Sequence, residues 1–454
     1  MIGLNKIGLN QVLLNRLRLN APFPAYGKMA GGGGSGDGFP QLPGDVTRWH
    51  FGGLTNEMMA AMDDPRIEDA DHKGRFLSFK NFAWKEGSGI SDVYPGALVF
   101  DGVDDWAGCD NLPLLPKEKG YSIIALRNWI TRYDATQYKR PLISNLDTND
   151  EGAFLIEYRK DENVNDVTGS YNSFTDVYID DNNPITWQTS SSYNGQIIKK
   201  GTSKSTNKLC ICKTYFGQLS NYANASIWEI VILDHDATEE ELTKIKDYFV
   251  KTYPWLFPDQ AWTVVGKTNE DEDRATIANI TGNGNDLVCL NLGFIEGSGY
   301  NEEGEYAGYL VTDGVDDKIT SSTFEMGNDW TVIGDWELIN TGKNDNAGIV
   351  KFDSIVIYNY NPILINIKNG RNNLIPDQNT VNAICSDGRI YSKDWKESIY
   401  NEETESTSKN LLTIGYSGNS YTKIAFKNLA IYPTVLSKED CIKAYNYLQT
   451  LKAK

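Results

Sequence analysis

The sequence predicts an all-β chain in which one strand-rich module is used twice, each copy closed by a helix. An extended N-terminal arm and a Gly/Pro-rich linker come first. Three observations carry this reading. An apolar run ending in D-G-V-D-D occurs at 98–105 and again at 310–317, with Asp101 and Asp313 separated by 212 residues. Upstream, Phe82-Ala83-Trp84-Lys85-Glu86-Gly87-Ser88-Gly89 echoes Gly293-Phe294-Ile295-Glu296-Gly297-Ser298-Gly299. Downstream, the strand-like runs 227–233 and 426–432 each lead into [ST]-x-x-[DE], Thr238 to Glu241 and Ser437 to Asp440. That is the signature of a helix start, where a hydroxyl caps the first turn and an acid answers three residues on. In the helices that follow, Leu242, Ile245 and Phe249 match Cys441, Ala444 and Leu448 on one face.

Residues 1–20 are a repeat of their own, with Leu4-Asn5, Leu9-Asn10, Leu14-Asn15 and Leu19-Asn20 spaced by five. That period matches neither a helix nor a half-buried strand. Such a segment can lie extended along a partner or coil with copies of itself, so it reads as an assembly arm; the alternative is an untethered leader. Residues 21–46 carry Pro22, Pro24, Gly31 to Gly34, Pro40 and Pro43, a linker that lets an anchor swing relative to the body.

Residues 47–256 form the first module. An opening strand at 47–51 is followed by a short helix after Thr55, strands near 75–82, 96–101, 121–130 and 153–159, a polar insertion over about 160–206, a strand at 226–233 and a helix at 239–251. The insertion holds Tyr171, Phe174, Tyr178, Trp187 and Tyr193 among Asn and Ser. Flat rings beside amides and hydroxyls suit a sugar, although aromatics in loops also plug local cores. Residues 257–454 form the second module, in which Asn283-Gly284 signals a hairpin turn. Strands are expected at 352–360, 363–368, 410–416 and 424–432, ahead of the closing helix.

The motifs resemble the laminin G-like and concanavalin A-like jelly rolls, in the divergent form found in bacterial surface proteins and bacteriophage virion proteins. The resemblance rests on the doubled D-G-V-D-D strand, on Thr281-Gly282-Asn283-Gly284-Asn285-Asp286-Leu287, and on Trp228-Glu229-Ile230-Val231-Ile232-Leu233-Asp234 followed by Thr238-Glu239-Glu240-Glu241-Leu242. It covers both halves from about Trp49 onward and implies two tandem antiparallel β-sandwich (jelly-roll) domains. The first copy departs from it at Asp71-His72-Lys73-Gly74, where a remodelled first hairpin is expected.

Chemistry narrows the rest. A formal net charge of −18 argues against nucleic acid, whose backbone needs clustered Lys and Arg. No apolar run is long enough to span a bilayer, and Asn5, Lys6, Asn10, Asn15, Arg16, Arg18 and Asn20 interrupt any signal-peptide core. The six cysteines are scattered and read as buried or half-buried free thiols of a reducing compartment. Glucanases on this fold resemble one another in an E-[IL]-D-x-x-E strand, since retaining hydrolysis needs two carboxylates about 5 Å apart. Neither the 68–71 acids nor Glu229 with Asp234 fit that pattern, and the three histidines form no zinc spacing.

The acidic turns Asp101, Asp104, Asp105 and Asp313, Asp316, Asp317 offer oxygen ligands to calcium. The competing reading has the first Asp holding the turn while the others face water. Calcium is thus the one cofactor considered, and none is expected. The expectation is a non-enzymatic bacteriophage virion protein, made in the host cytoplasm without a signal peptide. As a head fibre, capsid decoration or tail component, it is anchored to other virion proteins by residues 1–20, forms a homo-oligomer and displays two modules toward a host surface glycan. The alternatives are a structural spacer and a glycan-degrading hydrolase.

Overall fold

The computed structural model describes residues 38–113, 121–131, 139–145, 155–159, 185–189, 207–214, 216, 221–339, 348–351, 355–358, 363–367, 371–375, 381–399, 410–416 and 420–453. Leu42–Lys454 form one compact unit. Its strands lie in four antiparallel sheets, two from each half of the chain.

In the first half, one sheet runs Ile185–Thr189, Ser122–Trp129, Asn224–Leu233, Leu98–Asp101, Gly89–Ile90. Val46–His50 pairs with the far end of Asn224–Leu233, on the edge that Leu98–Asp101 occupies at the near end. The facing sheet runs Arg66–Glu68, Phe76–Lys80, Trp106–Cys109, Leu209–Ile211, Lys139–Ser144, Leu155–Arg159. The second half repeats the plan. Ile424–Tyr432 takes the centre, with Leu310–Val311 and Gln260–Thr263 on one edge and Thr331–Leu338 on the other. Its facing sheet is lengthened by the meander Gly348–Lys351, Ile355–Tyr358, Ile363–Ile367, Arg371–Ile375.

The strand pattern explains the cores. Asn224–Leu233 is apolar along nearly its whole length because it is covered on both faces, which a half-exposed strand would not tolerate. Ala225, Ile227, Ile230 and Ile232 point into a core shared with Trp49, Phe100, Ile123 and Ile143. The step from Ile227 to Ile230 breaks strict alternation because the register shifts there by one residue, a bulge at Trp228. In the second half Phe426 and Leu429 flank the same bulge at Lys427, and face a core with Trp262, Ile319, Val332 and Trp336. Each fully buried large side chain contributes about 1.5–3 kcal/mol.

The helices are set by their caps. α1 (Asn56–Ala60) starts at Thr55, whose hydroxyl accepts from the Met58 amide. α2 (Glu239–Thr252) carries a complete capping box between Thr238 and Glu241. α3 (Lys438–Leu448) starts at Ser437, which accepts from the Asp440 amide. α2 shelters an ion pair on the outer side of the first sandwich: Arg48 donates to Glu229 at 3.0 Å, both side chains fully buried, and Tyr248 and Tyr253 donate to the same carboxylate. Burial pushes the Glu229 carboxyl up, against the pull of Arg48. The second copy has Ala261 and Asn428 at these places, and among the described residues buried Asn428 finds no partner for its amide. α3 reaches the first sandwich, where Tyr447 meets Trp228 edge-on at 6.2 Å.

The first hairpin of the first copy keeps part of the second's backbone: His72 and Gly74 take the left-handed conformation as Gly282 and Gly284 do, while the further left-handed residue Asn285 has no counterpart at Arg75. In both copies the core tryptophan, Trp49 or Trp262, donates its indole N–H to a carbonyl beyond that turn, at Arg75 or Asn285. Asn283-Gly284 lies in a hairpin connection, as expected, since Thr276–Ile277 pairs antiparallel with Leu287–Leu290, and Asn279 ties that connection together through the Gly284 carbonyl and the Thr281 amide. All six cysteines are free and buried. No described helix is long and apolar enough to cross a membrane.

Candidate functional site

One corner of each sandwich is built from the two repeated motifs, almost bond for bond. In the acidic turn, Asp101 Oδ1 accepts from the amides of Val103, Asp104 and Asp105, at 2.8, 3.3 and 3.3 Å. Asp313 Oδ1 accepts from Val315, Asp316 and Asp317, at 2.7, 3.3 and 3.4 Å. The last acid closes the ring, Asp105 Oδ2 accepting from the Asp101 amide and Asp317 Oδ2 from the Asp313 amide. Gly102 is required at φ +76°, and a Cβ there would lie 2.8 Å from that of Asn224.

The neighbouring hairpin is held against this turn. Asn81 and Asn291, both left-handed, donate to the carbonyls of Asp104 and Asp316 at 2.9 Å. Ser298 donates to Asp317 at 2.7 Å, and Ser88 bonds Asp105 in the same way. Asn56 and Asn269 clamp the hairpin's far end, each bonding both backbone groups of the next strand residue, Ile90 or Tyr300.

The first acid therefore holds the turn, as the architectural reading expects, but the last does not face water. Asp105 and Asp317 are fully buried, because their carboxylates cap the strand start and receive the serine. Burial pushes Asp105 up to about 6 and raises Asp317 as well. In each turn three carboxylate oxygens lie within 4.8 Å of one another. Calcium takes six to eight oxygens, and here one of the three acids already accepts three amides, so the donor set fits that ion poorly.

Aromatic rings surround both turns. Trp84 and Phe294 hold left-handed backbone, φ +49° and +51°, a strained conformation for bulky residues. Both are half-buried. Trp84 stacks on Phe82 at 5.0 Å, and Phe294 on Tyr300 at 6.2 Å with Arg274 across its face. Beside the turn, Lys213 lies over the Trp106 ring at 4.0 Å, and Phe216 meets that ring edge-on at 5.7 Å. Tyr222 bridges to Lys213 and is close enough to feel the Asp104 charge, which with burial raises its phenol. In the second copy Lys318 covers Tyr416 at 5.2 Å, and Tyr416 bridges to Tyr421.

The sequence-predicted acids are thus brought together in two groups of three, the only groupings of that size among the described residues. Of the expected sugar-binding aromatics, Tyr171, Phe174, Tyr178 and Tyr193 lie outside the described residues, as do Leu4, Asn5, Leu9, Asn10, Leu14, Asn15, Leu19 and Asn20. Trp187 falls on the described edge strand Ile185–Thr189, opposite Ile124. Trp106, Lys213, Phe216, Tyr222, Lys318, Tyr416 and Tyr421 were not singled out from sequence; only the fold brings them to the turn. Of the rejected acids, Asp69 accepts from the Lys73 and Arg75 amides, Glu68 from Gly74 and Asp234 from Asp45, while Glu229 is held in the buried pair with Arg48.

No protein-family model matches the chain, and no curated protein does. Among solved structures it is similar to a mutant of Trypanosoma rangeli sialidase displaying trans-sialidase activity, at 8% identity and TM-score 0.32 over 51% of this chain and 42% of that one. It is also similar to Trypanosoma rangeli sialidase in complex with sialic acid, at 8% identity and TM-score 0.31 over 85% of this chain and 68% of that one. A third is the binding domain of Paraclostridial Mosquitocidal Protein 1, at 13% identity and TM-score 0.27 over 41% of this chain and 51% of that one. The chain spans less than half of the first of these. Likeness this slight says nothing of what the chain binds; its own pairing of sheets makes it an all-β sandwich protein.

Proposed function

We propose that the chain is a non-catalytic, particle-associated protein that displays two sandwiches and binds a glycan through the corner repeated in each. The observation that supports this is the pair Trp84 and Phe294. Both copies hold a half-exposed aromatic ring at strained backbone beside polar side chains, and strain retained twice suits a ring presented to a ligand. Sugars bind by resting C–H faces on such rings while hydroxyls bond nearby carboxylates and amides. No cofactor is needed for that.

The tethering half of the reading rests on the Leu-Asn pentads of residues 1–20 and the linker behind them, which suit attachment to other structural proteins of a virion and assembly with further copies. The test is a glycan array probed with the full chain and with a Trp84→Ala, Phe294→Ala double variant. Binding to a defined set of glycans, lost in the variant, is expected. A blank array from a cooperatively folded chain would leave the spacer reading, and release of reducing sugar from a bound glycan would make the protein a hydrolase.

A further inference from the structure

The two lysines at the corners share an environment that a purely structural residue would not need. Lys213 is 6% exposed, with its ammonium over the Trp106 ring. Lys318 lies over Tyr416. Trp106 and Lys318 each follow the last acid of their turn, and Lys213 and Tyr416 each form the bridge to the tyrosine Tyr222 or Tyr421. The cation and the ring have exchanged places between the copies, and the pair has been kept. Among the described residues neither ammonium has a carboxylate partner, although the chain carries 61 acids to 43 bases and other lysines are ion-paired. In the first copy a second ammonium, Lys208, covers the face of Phe216 at 4.8 Å.

A buried or half-buried cation that rests on an aromatic face, with no acid paired to it among the described residues, is set up to receive an anion with an apolar body attached. We infer that each corner takes a saccharide bearing an oxyanion, a carboxylate or a sulfate, with that group at Lys213 in the first copy and Lys318 in the second. This deepens the glycan reading above and rests on it. Partial desolvation already holds the Lys213 ammonium below the usual lysine range, which an arriving anion would reverse.

The test is calorimetric titration of the full chain with matched neutral, uronate-bearing and sulfate-bearing oligosaccharides at two salt concentrations. The acidic sugars should bind at least about tenfold more tightly than the neutral one, the gain of a charge-assisted hydrogen bond. Raised salt should erase that difference without touching neutral binding. Lys213→Met with Lys318→Met should abolish the preference, while Lys213→Arg with Lys318→Arg keeps it. Equal binding of neutral and acidic sugars, a preference that salt leaves intact, or one that survives the methionine pair would overturn the inference. If neutral sugars bind and acidic ones gain nothing, the inference falls and the glycan reading stands; if no saccharide of any class binds, both fall.

Discussion

Lys213 holds its ammonium 4.0 Å from the centre of the Trp106 ring, and at the corresponding place in the second sandwich Lys318 covers Tyr416 at 5.2 Å. The residue types have traded strands while the contact survives, so the pair is the unit that the two copies share. A double-mutant cycle of Trp106→Ala and Lys213→Met should give a coupling of about 0.5–2 kcal/mol in chemical denaturation. Additive effects would mean that the two side chains only happen to be near one another.

Gly89 is at φ +147°, and a Cβ there would lie 2.3 Å from Asn56 Oδ1 and 3.0 Å from the Trp84 Cα. Gly87, two residues earlier and also left-handed, has open space. Gly89→Ala should therefore cost about 2–4 kcal/mol and Gly87→Ala about 1, read as shifts of the urea midpoint. Equal effects would show that the Asn56 clamp does not fix this hairpin.

The pH dependence follows from Asp105. Its folded pKa of about 6 lies above the ordinary value of 3.8, so folding favours the protonated form. The stability this group contributes is complete below its unfolded pKa and is lost as pH rises through about 6. The chain should thus gain stability as pH is lowered from 7 toward 5, and Asp105→Asn should remove part of that slope while raising the melting temperature at pH 7. Millimolar calcium should leave the melting temperature at pH 7 unchanged. A calcium-dependent rise abolished by Asp105→Asn would contradict the architectural reading of the turn.

Arg48 and Glu229 form a buried pair in the first sandwich, where the second makes do with Ala261 and Asn428. Glu229→Gln should cost about 3 kcal/mol or more, because it leaves the guanidinium buried without its carboxylate. Transplanting the second copy's solution, Arg48→Ala with Glu229→Asn, should recover most of the loss in the same denaturation assay.

The duplication was legible in the sequence because its marks are local. A turn that needs Gly102 and a first-position Asp101, or a helix that needs Thr238 and Glu241, writes its chemistry into neighbouring letters. The strand centred on Ile230 was legible for a related reason: burial on both faces leaves an unbroken apolar run. The corner's flanking residues were not legible. Trp106 and Lys213 are far apart in the chain, and the contact is hidden further because the second copy writes it as Lys318 and Tyr416. Burial of Asp105 was missed because an acid in a polar turn reads as solvated until the serine of the next hairpin is brought over it.

The stoichiometry of a bound oligosaccharide tests the central claim most directly, since a corner built twice should be filled twice. Titration of the full chain with a glycan identified on the array should give two sites per chain of unequal affinity, falling to one with Trp84→Ala and to none when Phe294→Ala is added. A single site that neither substitution alters would contradict the account.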